Sequence, residues 1–285
     1  MRVLRYAAAA CLVFAQNAVL ATALPAVQER DADPGDVADR EPDGLGPALD
    51  PAKYFHEPGG NDILGHYDVR YFDGVVTDDE RKTTIRHMTR AYLTWFRKQG
   101  LETWIAHGTL LGWWWSGRML PWDWDVDTQV ADRTLAFLAH NHNRTRVHYR
   151  SADGSGVERT YLLDVNPHSE ERVRGDGMNI IDARWIDTSN GLYIDITGLS
   201  ETDREGNPGV WSCKNNHNYH TSDLYPMRES SYEGVPALIP YAYDKILVEE
   251  YQEKALTATE YEGHRFNPEE RLWMKVEDDP DKPTS

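Results

Sequence analysis

Three aspartates alternate with other residues in the segment PWDWDVDTQV: Asp123, Asp125 and Asp127. In a β-strand, residues two apart point to the same face and lie about 6.5–7 Å apart along the chain. We therefore expect residues 124–130 to form a strand, with the three carboxylates projecting together. Aspartate is depleted in strands, so its repetition here indicates a requirement other than folding.

Carboxylates this close repel one another when ionised, and a bound divalent cation removes that cost. Oxygen ligands of this kind favour Mg²⁺ or Mn²⁺, which can hold a phosphoryl group during an in-line displacement. We predict that Asp123, Asp125 and Asp127 bind the metal and that Asp125 and Asp127 are also catalytic. A solvated acidic strand edge is the alternative. A calcium loop of EF-hand type is excluded, because its sixth and twelfth positions require Gly and Glu, whereas this chain has Thr128 and Thr134.

A fourth aspartate, Asp195, lies in the apolar segment GLYIDITGL between Ile194 and Ile196. A buried carboxylate is costly unless it is paired or bound to a metal. We predict that Asp195 is catalytic, either as a further metal ligand or as the base that takes a proton from an acceptor hydroxyl. A hydrogen bond to a neighbouring loop or to an arginine is the alternative.

The residues before the aspartates have the features of an anion site. His107, Gly108 and Thr109 lead into a predicted helical turn, whose free N–H groups and hydroxyl can bind phosphate. Arg118 follows this turn and is a second candidate phosphate ligand, although a plain surface arginine explains it equally well.

Tryptophans surround this segment, five of them within twelve positions: Trp113, Trp114, Trp115, Trp122 and Trp124. Each tryptophan taken singly is expected in the core. Indole rings also stack on nucleobases and sugars, and five exceed what one small core needs. We therefore assign Trp122 and Trp124 to the substrate pocket.

The N-terminal residues 1–23 have the form of a secretory signal peptide, with Arg2 and Arg5, an apolar segment and an Ala-Thr-Ala cleavage pattern. An uncleaved type II membrane anchor is the alternative. Both lead into the secretory pathway, and we expect the protein in the Golgi lumen or secreted. The N-glycosylation sequon at Asn143 fits this route.

Composition divides the rest of the chain. Residues 24–50 are rich in Asp, Glu, Pro and Gly, which predicts a disordered acidic linker, and residues 276–285 are predicted to be a disordered tail. Residues 51–275 are expected to form one domain. The net charge of −17, with no basic cluster, argues against a nucleic-acid partner.

Hydrophobic spacing predicts helices and strands in this domain. Thr77 and Glu80 form a capping box, Gly100 provides a stop signal, and residues 78–99 between them are predicted to be an amphipathic helix. Further helices are predicted at 109–115, 133–141 and 243–253, and further strands at 103–106, 147–150, 159–165, 180–187 and 192–197. In the last helix, Ile246, Leu247 and Tyr251 share one face. Helices mixed with mainly antiparallel strands indicate the α+β class.

A second ligand-like pattern, C-x3-H-x2-H, places Cys213, His217 and His220 shortly before Asp223. These residue types can bind zinc, but the spacing is not a standard one. A polar loop is the favoured interpretation.

The segment HGTLLGWWWSGRMLPWDWDVD resembles the G-T-L-L-G…P-W-D-x-D-x-D signature of the LicD/fukutin family of phosphosugar transferases. The similarity continues through YLLDVNP, NIIDARWIDT, GLYIDITGL and residues 223–251. The W-W-W and R-W-I-D-T forms are most similar to the fungal branch linked to mannosylphosphate transfer onto glycans. Family members often carry D-D-D-I-D where this chain has D-W-D-V-D, which keeps the alternate carboxylates.

The resemblance implies a nucleotidyltransferase-like mixed sheet flanked by helices and dependence on Mg²⁺ or Mn²⁺. Matched by position, Asp123, Asp125 and Asp127 are the metal cluster, Asp195 is the later strand acid, and residues 107–109 form the phosphate turn. The implied partners are a nucleotide-sugar donor and a glycan acceptor, with a partner transferase subunit as a further candidate.

The resemblance implies transfer of a phosphosugar, with mannosylphosphate favoured, from a nucleotide-diphosphate donor to a glycan hydroxyl. Nucleoside monophosphate leaves in this reaction. A D-x-D glycosyltransferase would release nucleoside diphosphate instead. The third alternative is a regulator or glycan-binding protein that keeps the fold without turnover.

Overall fold

The computed structural model describes the backbone of residues 28–30 and all of residues 52–276. The predicted signal peptide lies outside these residues, as do nearly all of the predicted linker and tail. Three linker residues, Gln28–Arg30 (β1), pair with the edge of the main sheet, which their acidic surroundings did not indicate.

The main sheet has seven strands, counted over the described residues, in the order β1-β4-β5-β6-β7-β3-β2. Its members after β1 are β2 (Trp104–Ile105), β3 (Asp127–Ala131), β4 (Thr145–Arg150), β5 (Glu158–Val165), β6 (Ala183–Asp187) and β7 (Tyr193–Leu199). Strands β3 and β7 run parallel, and the other neighbouring pairs are antiparallel. The predicted α+β class and mixed sheet are thus confirmed.

Helices and three small sheets complete the described part of the chain. The helices are α1 (Asp78–Gln99), α2 (His107–Ser116), α3 (Asp132–Asn141), α4 (Thr221–Leu224) and α5 (Tyr243–Thr257). The small sheets pair β8 (Val210–Ser212) with β9 (Asn218–His220), β10 (Arg228–Tyr232) with β11 (Val235–Ile239), and β12 (Glu260–Tyr261), β13 (His264–Asn267) and β14 (Leu272–Lys275) with one another. No helix within the described ranges is long and apolar enough to cross a membrane.

Helix α1 covers the sheet and forms the centre of the core. Its predicted bounds are confirmed: the Thr77 hydroxyl accepts a hydrogen bond from the Glu80 N–H at 3.2 Å, and Gly100 ends the helix in the left-handed conformation. Its buried face includes Met88, Tyr92 and Phe96, which join the residues of the main sheet in one hydrophobic cluster.

Two predicted elements differ from the structure at the site. The strand predicted for residues 124–130 begins only at Asp127, where its pairing with Asp195 of β7 starts. The last helix, predicted to end at residue 253, is interrupted by a kink at Gln252 and resumes as far as Thr257, and Tyr251, predicted to share its buried face, is 36% exposed.

Candidate active site

Two neighbouring strands bring two of the aspartates side by side. Asp127 is the first residue of β3 and lies opposite Asp195 in the parallel pair with β7. The Asp195 N–H donates to the Val126 carbonyl at 3.0 Å, so the pairing holds immediately before Asp127. The two acids are 68 positions apart in sequence, and the register of the parallel strands makes them neighbours.

The loop that carries Asp123 and Asp125 is held by a buried arginine. Arg81 is 1% exposed, and its Nη2 donates to the Pro121 carbonyl at 2.8 Å while Nη1 donates to the Asp123 carbonyl. Its guanidinium also lies 4.7 Å from the ring centroid of Trp124. The predicted substrate contact Trp124 therefore takes part in fixing this loop.

The carboxylates interact strongly with one another. Burial, followed by the hydrogen bond and the charge of Asp125, raises the pKa of Asp123 to about 8. Burial also raises the pKa of Asp127 to about 7, with contributions from Asp125 and Asp195, while His107 opposes the change. The site thus holds more negative charge than its protein surroundings balance.

Asp195 has the arginine partner that the sequence allowed as an alternative. Arg184 Nε donates to Asp195 Oδ1 at 2.9 Å, and Arg184 Nη2 donates to Glu57 Oε1 at 2.6 Å. The guanidinium lies 3.6 Å from the ring centroid of Tyr193. Burial has the largest effect and raises the pKa of Asp195, and the charges of Asp125 and Glu57 act in the same direction. Arg184 lowers this pKa but does not outweigh them. Asp195 is therefore both ion-paired and part of the carboxylate cluster.

The donor types fit a hard divalent cation. Four carboxylates, those of Asp123, Asp125, Asp127 and Asp195, form a chain of interacting charges beside the start of β3. Carboxylate oxygens are the ligands that Mg²⁺ and Mn²⁺ prefer, and a cation would relieve their repulsion. Among the residues that the structure describes, no three acidic, histidine or cysteine side chains already form a group that could hold a metal ion.

The N-terminus of α2 adjoins the cluster. A methyl group added to Gly108 would lie 3.0 Å from Asp123 Oδ2, so only glycine leaves this approach open. The Thr109 hydroxyl is buried and accepts a hydrogen bond from the Asp127 N–H at 2.9 Å. Thr109 thus positions Asp127, and its predicted phosphate contact would have to come from its own N–H.

His107 belongs to a buried hydrogen-bond network that the sequence did not reveal. Its Nδ1 lies 2.9 Å from Glu250 Oε2, and the Tyr219 hydroxyl donates to Glu250 Oε1 at 2.8 Å. Gln129 Nε2 lies 3.4 Å from His107 Nε2, and Trp104 Nε1 donates to Gln129 Oε1 at 3.0 Å. Because both ring nitrogens have protein partners, a phosphate contact of His107 falls to its backbone N–H.

The same neighbours shift the pKa of His107. Burial lowers its pKa, but the hydrogen bond to Glu250 and the charges of Asp127 and Asp125 outweigh burial and raise it overall. The contact between His107 Nδ1 and Glu250 Oε2 connects α2 to α5. No sequence signal links these two residues, since 143 positions separate them.

The remaining predicted residues are more dispersed. Arg118 is exposed on the turn after α2. Trp122 packs against the C-terminal small sheet, with ring centroids 5.2 Å from Tyr261 and 5.0 Å from Trp273. Asn143 is exposed, but its Oδ1 accepts a hydrogen bond from the Val165 N–H at 2.9 Å, and Thr145 of the same sequon is buried.

The cysteine and histidine pattern does not converge on one point. Cys213 Sγ lies 3.3 Å from His217 Nδ1, and the His217 ring is 4.2 Å from that of His107. His220 is exposed, and Asp223 binds Lys245 at 2.8 Å. The predicted polar loop includes β9 and the start of α4, and His217 adds a ring contact to His107.

The part of the chain that contains the aspartates matches a known protein family. The family described as LicD/FKTN/FKRP, nucleotidyltransferase domain, matches residues 100–242. Mannosyltransferase regulator 4 of Saccharomyces cerevisiae is 36% identical over 163 residues, which is 55% of this chain and 14% of that protein. Mannosyltransferase regulator 14 of the same organism is 37% identical over 164 residues, 54% of this chain and 17% of that protein. The chain therefore spans only a small part of these relatives' length.

The family match covers half of the chain and includes the aspartate loop, β3, β7 and the N-terminus of α2. It coincides with the elements that bring Asp127 and Asp195 together in the structure. On this basis the chain belongs to the LicD/FKTN/FKRP nucleotidyltransferase domain family.

Proposed function

We propose that this protein transfers a phosphosugar, mannosylphosphate in the favoured case, from a nucleotide-diphosphate donor to a glycan hydroxyl within the secretory pathway. Membership of the family and the names of the two relatives support a role in glycan modification or its regulation. The observation that carries the finer proposal is the cluster of four carboxylates, two of them with a pKa raised to about 8 and about 7, beside the N-terminus of α2.

The chain's own residues divide the work in this proposal. Asp123, Asp125 and Asp127 would hold Mg²⁺ or Mn²⁺, which supplies positive charge to the donor's phosphates when bound. Free N–H groups at the start of α2 would bind phosphate oxygens, as helix N-termini do. Asp195 lies beside Asp127 and would ligate the metal or accept the proton of the attacking hydroxyl.

Arg81 and Arg184 are positioning residues in this proposal. Arg81 fixes the carbonyls of the aspartate loop, and Arg184 fixes one oxygen of Asp195. Neither was singled out in the sequence, although a charged residue inside the apolar strand β6 is a signal that could have found Arg184.

A regulator without turnover is the second candidate, and a specific observation favours it. Both relatives are named mannosyltransferase regulators, and this chain matches them over a limited part of their length. Such a protein would keep the fold and the binding surface and would act on a partner transferase subunit.

The nucleotide product distinguishes the candidates. The full chain is incubated with Mn²⁺, an oligomannose acceptor and GDP-mannose, and chromatography separates the mono- and diphosphates. Release of the monophosphate, lost on chelation and in Asp125→Asn, supports phosphosugar transfer. The matched control, Asp62→Asn, changes an exposed acid outside the site and should keep wild-type turnover.

Other products would redirect the assignment. Release of the diphosphate would make the protein a D-x-D glycosyltransferase. A wild-type chain that binds Mn²⁺ and releases neither product, with CDP-linked donors tested as well, would favour the regulator. Full monophosphate release by Asp125→Asn and Asp127→Asn would contradict the role of the aspartates.

A further inference from the structure

Helix α5 presents a second residue to the aspartate cluster besides Glu250. A methyl group placed on Gly108 would lie 3.9 Å from the Tyr251 hydroxyl and 3.0 Å from Asp123 Oδ2. The bare α-carbon of Gly108 is therefore bordered by a phenol on one side and a carboxylate on another. Tyr251 is 36% exposed, so its ring lies at the rim of the site and is accessible to a ligand.

The contacts on either side of Tyr251 hold it in place. Glu250, the preceding residue, binds His107 and Tyr219. Four residues further on, the Ala255 carbonyl accepts a hydrogen bond from Trp115 Nε1 at 3.0 Å. Helix α5 is thus fastened to α2 before and after Tyr251, and the phenol has a fixed position relative to the phosphate turn.

The backbone of α5 is strained directly after Tyr251. Gln252 has φ of 66° and ψ of 161°, a region occupied almost only by glycine. Strain of this kind persists where surrounding contacts fix the chain, and it clusters at functional sites. Here it lies between the two contacts that fasten α5, next to the residue that faces the aspartates.

The hydroxyl of Tyr251 is a donor among acceptors. A phenol is protonated at neutral pH, so the Tyr251 hydroxyl has a hydrogen to donate. Within the described residues this hydroxyl forms no hydrogen bond. Neutral donors placed beside a developing negative charge are a common way to stabilise a phosphate.

We propose that the Tyr251 hydroxyl donates a hydrogen bond to a phosphate oxygen of the nucleotide-diphosphate donor. This inference rests on the proposed function, because it assumes a diphosphate next to the aspartates. It makes α5 a second wall of the donor site, opposite the aspartate loop. The group that Tyr251 would recognise is a metal-bound diphosphate, and this contact does not depend on the base or sugar attached to it.

The test replaces only the hydroxyl. Tyr251→Phe keeps the ring, and Tyr243→Phe is the matched control on the same helix, where the ring packs on Trp113 with centroids 5.0 Å apart. Calorimetry measures the affinity of wild type and both variants for pyrophosphate in the presence of Mn²⁺, and the GDP-mannose assay gives kcat and KM. Thermal unfolding verifies that both variants fold.

Tyr251→Phe should weaken pyrophosphate binding and lower kcat/KM on the order of 10–100-fold, as expected for a hydrogen bond to a charged group. Tyr243→Phe should leave both unchanged. If the wild-type chain binds pyrophosphate without turnover and Tyr251→Phe weakens that binding, the result supports the Tyr251–phosphate hydrogen bond and contradicts phosphosugar transfer. Equal affinity and turnover in wild type and Tyr251→Phe would overturn the contact and leave the transfer reaction standing. A wild-type chain that neither binds nor reacts would overturn both.

Discussion

At the scale of the residue, Gly108 lies where a side chain would press on the aspartate cluster. Its backbone is in an ordinary conformation, and alanine at a helix start costs nothing by propensity. The added methyl group, however, would press on Asp123 Oδ2 at 3.0 Å. The absence of a side chain at Gly108 therefore serves the carboxylate and contributes little to stability.

Gly108→Ala should consequently separate stability from ligand binding. We expect the free energy of unfolding to stay within about 1 kcal/mol of wild type, while Mn²⁺ affinity falls on the order of tenfold, as for other changes that support metal ligands. Chemical denaturation and calorimetry measure the two quantities. Gly65→Ala, where no atom lies within 4 Å of the added methyl group, is the control. Unchanged Mn²⁺ affinity in Gly108→Ala would contradict the proposed closeness of α2 to the metal.

The aspartates predict a pH dependence. The pKa values of Asp123 and Asp127 are raised to about 8 and about 7 from the ordinary 3.8, so the folded chain binds these protons more tightly than the unfolded chain. Their contribution to stability is complete below about pH 4 and is lost as the pH rises through about 7 to 8. Without metal, the free energy of unfolding should therefore fall between about pH 5.5 and about pH 8.5.

Asp123→Asn should flatten this fall, and Asp62→Asn, at an exposed acid, should keep the wild-type slope. Urea denaturation in the presence of a chelator measures the slope. An unchanged slope in Asp123→Asn would show that the folded chain does not hold a proton at this cluster.

At the scale of the element, local signals predicted α1 and could not predict where the aspartate strand begins. Thr77 and Gly100 mark the ends of α1 because capping acts over neighbouring residues. The start of β3 depends on its pairing with β7, which begins at Asp127 opposite Asp195, a residue 68 positions further along the chain. Alternation predicted three acids for the site, and pairing with a distant strand determines that only Asp127 of the three lies in β3.

Helix α5 offers a prediction from its strained residue. Gln252→Gly should raise the free energy of unfolding by about 1 kcal/mol, because glycine occupies the conformation at φ of 66° without a side-chain clash. Glu253→Gly, one residue further along the helix, should lower it by about 0.5–1 kcal/mol. Urea denaturation compares the two variants. A loss of stability in Gln252→Gly would mean that the backbone is relaxed in solution.

At the scale of the whole molecule, the C-terminal small sheet supports the tryptophans next to the site. Trp273 of β14 is 9% exposed, and its ring centroid lies 5.0 Å from both Trp115 and Trp122. The sequence singled out Trp122 as a pocket residue, whereas the structure gives it neighbours some 140 or more positions away. Composition alone cannot distinguish a stacked ligand from a stacked tryptophan.

Trp273→Ala should cost about 3 kcal/mol of unfolding free energy, as expected for a large buried ring. It should also move the tryptophan fluorescence to longer wavelength, because Trp115 and Trp122 become hydrated. Met274→Ala changes a half-exposed neighbour and should cost less than about 0.5 kcal/mol. Equal costs for the two variants would show that the C-terminal sheet does not support this cluster.

The contacts of Arg81 and Arg184 cross the limits of the segment that matches the family. The stretch shared with the family spans residues 100–242, yet Arg81 and Glu57 precede it and Glu250 follows it. A fragment of residues 100–242 would keep the four aspartates of the candidate site. It would lose Arg81, which holds the aspartate loop, Glu57, which binds Arg184, and Glu250, which binds His107. The segment that matches the family is therefore shorter than the segment whose side chains hold the candidate site in place.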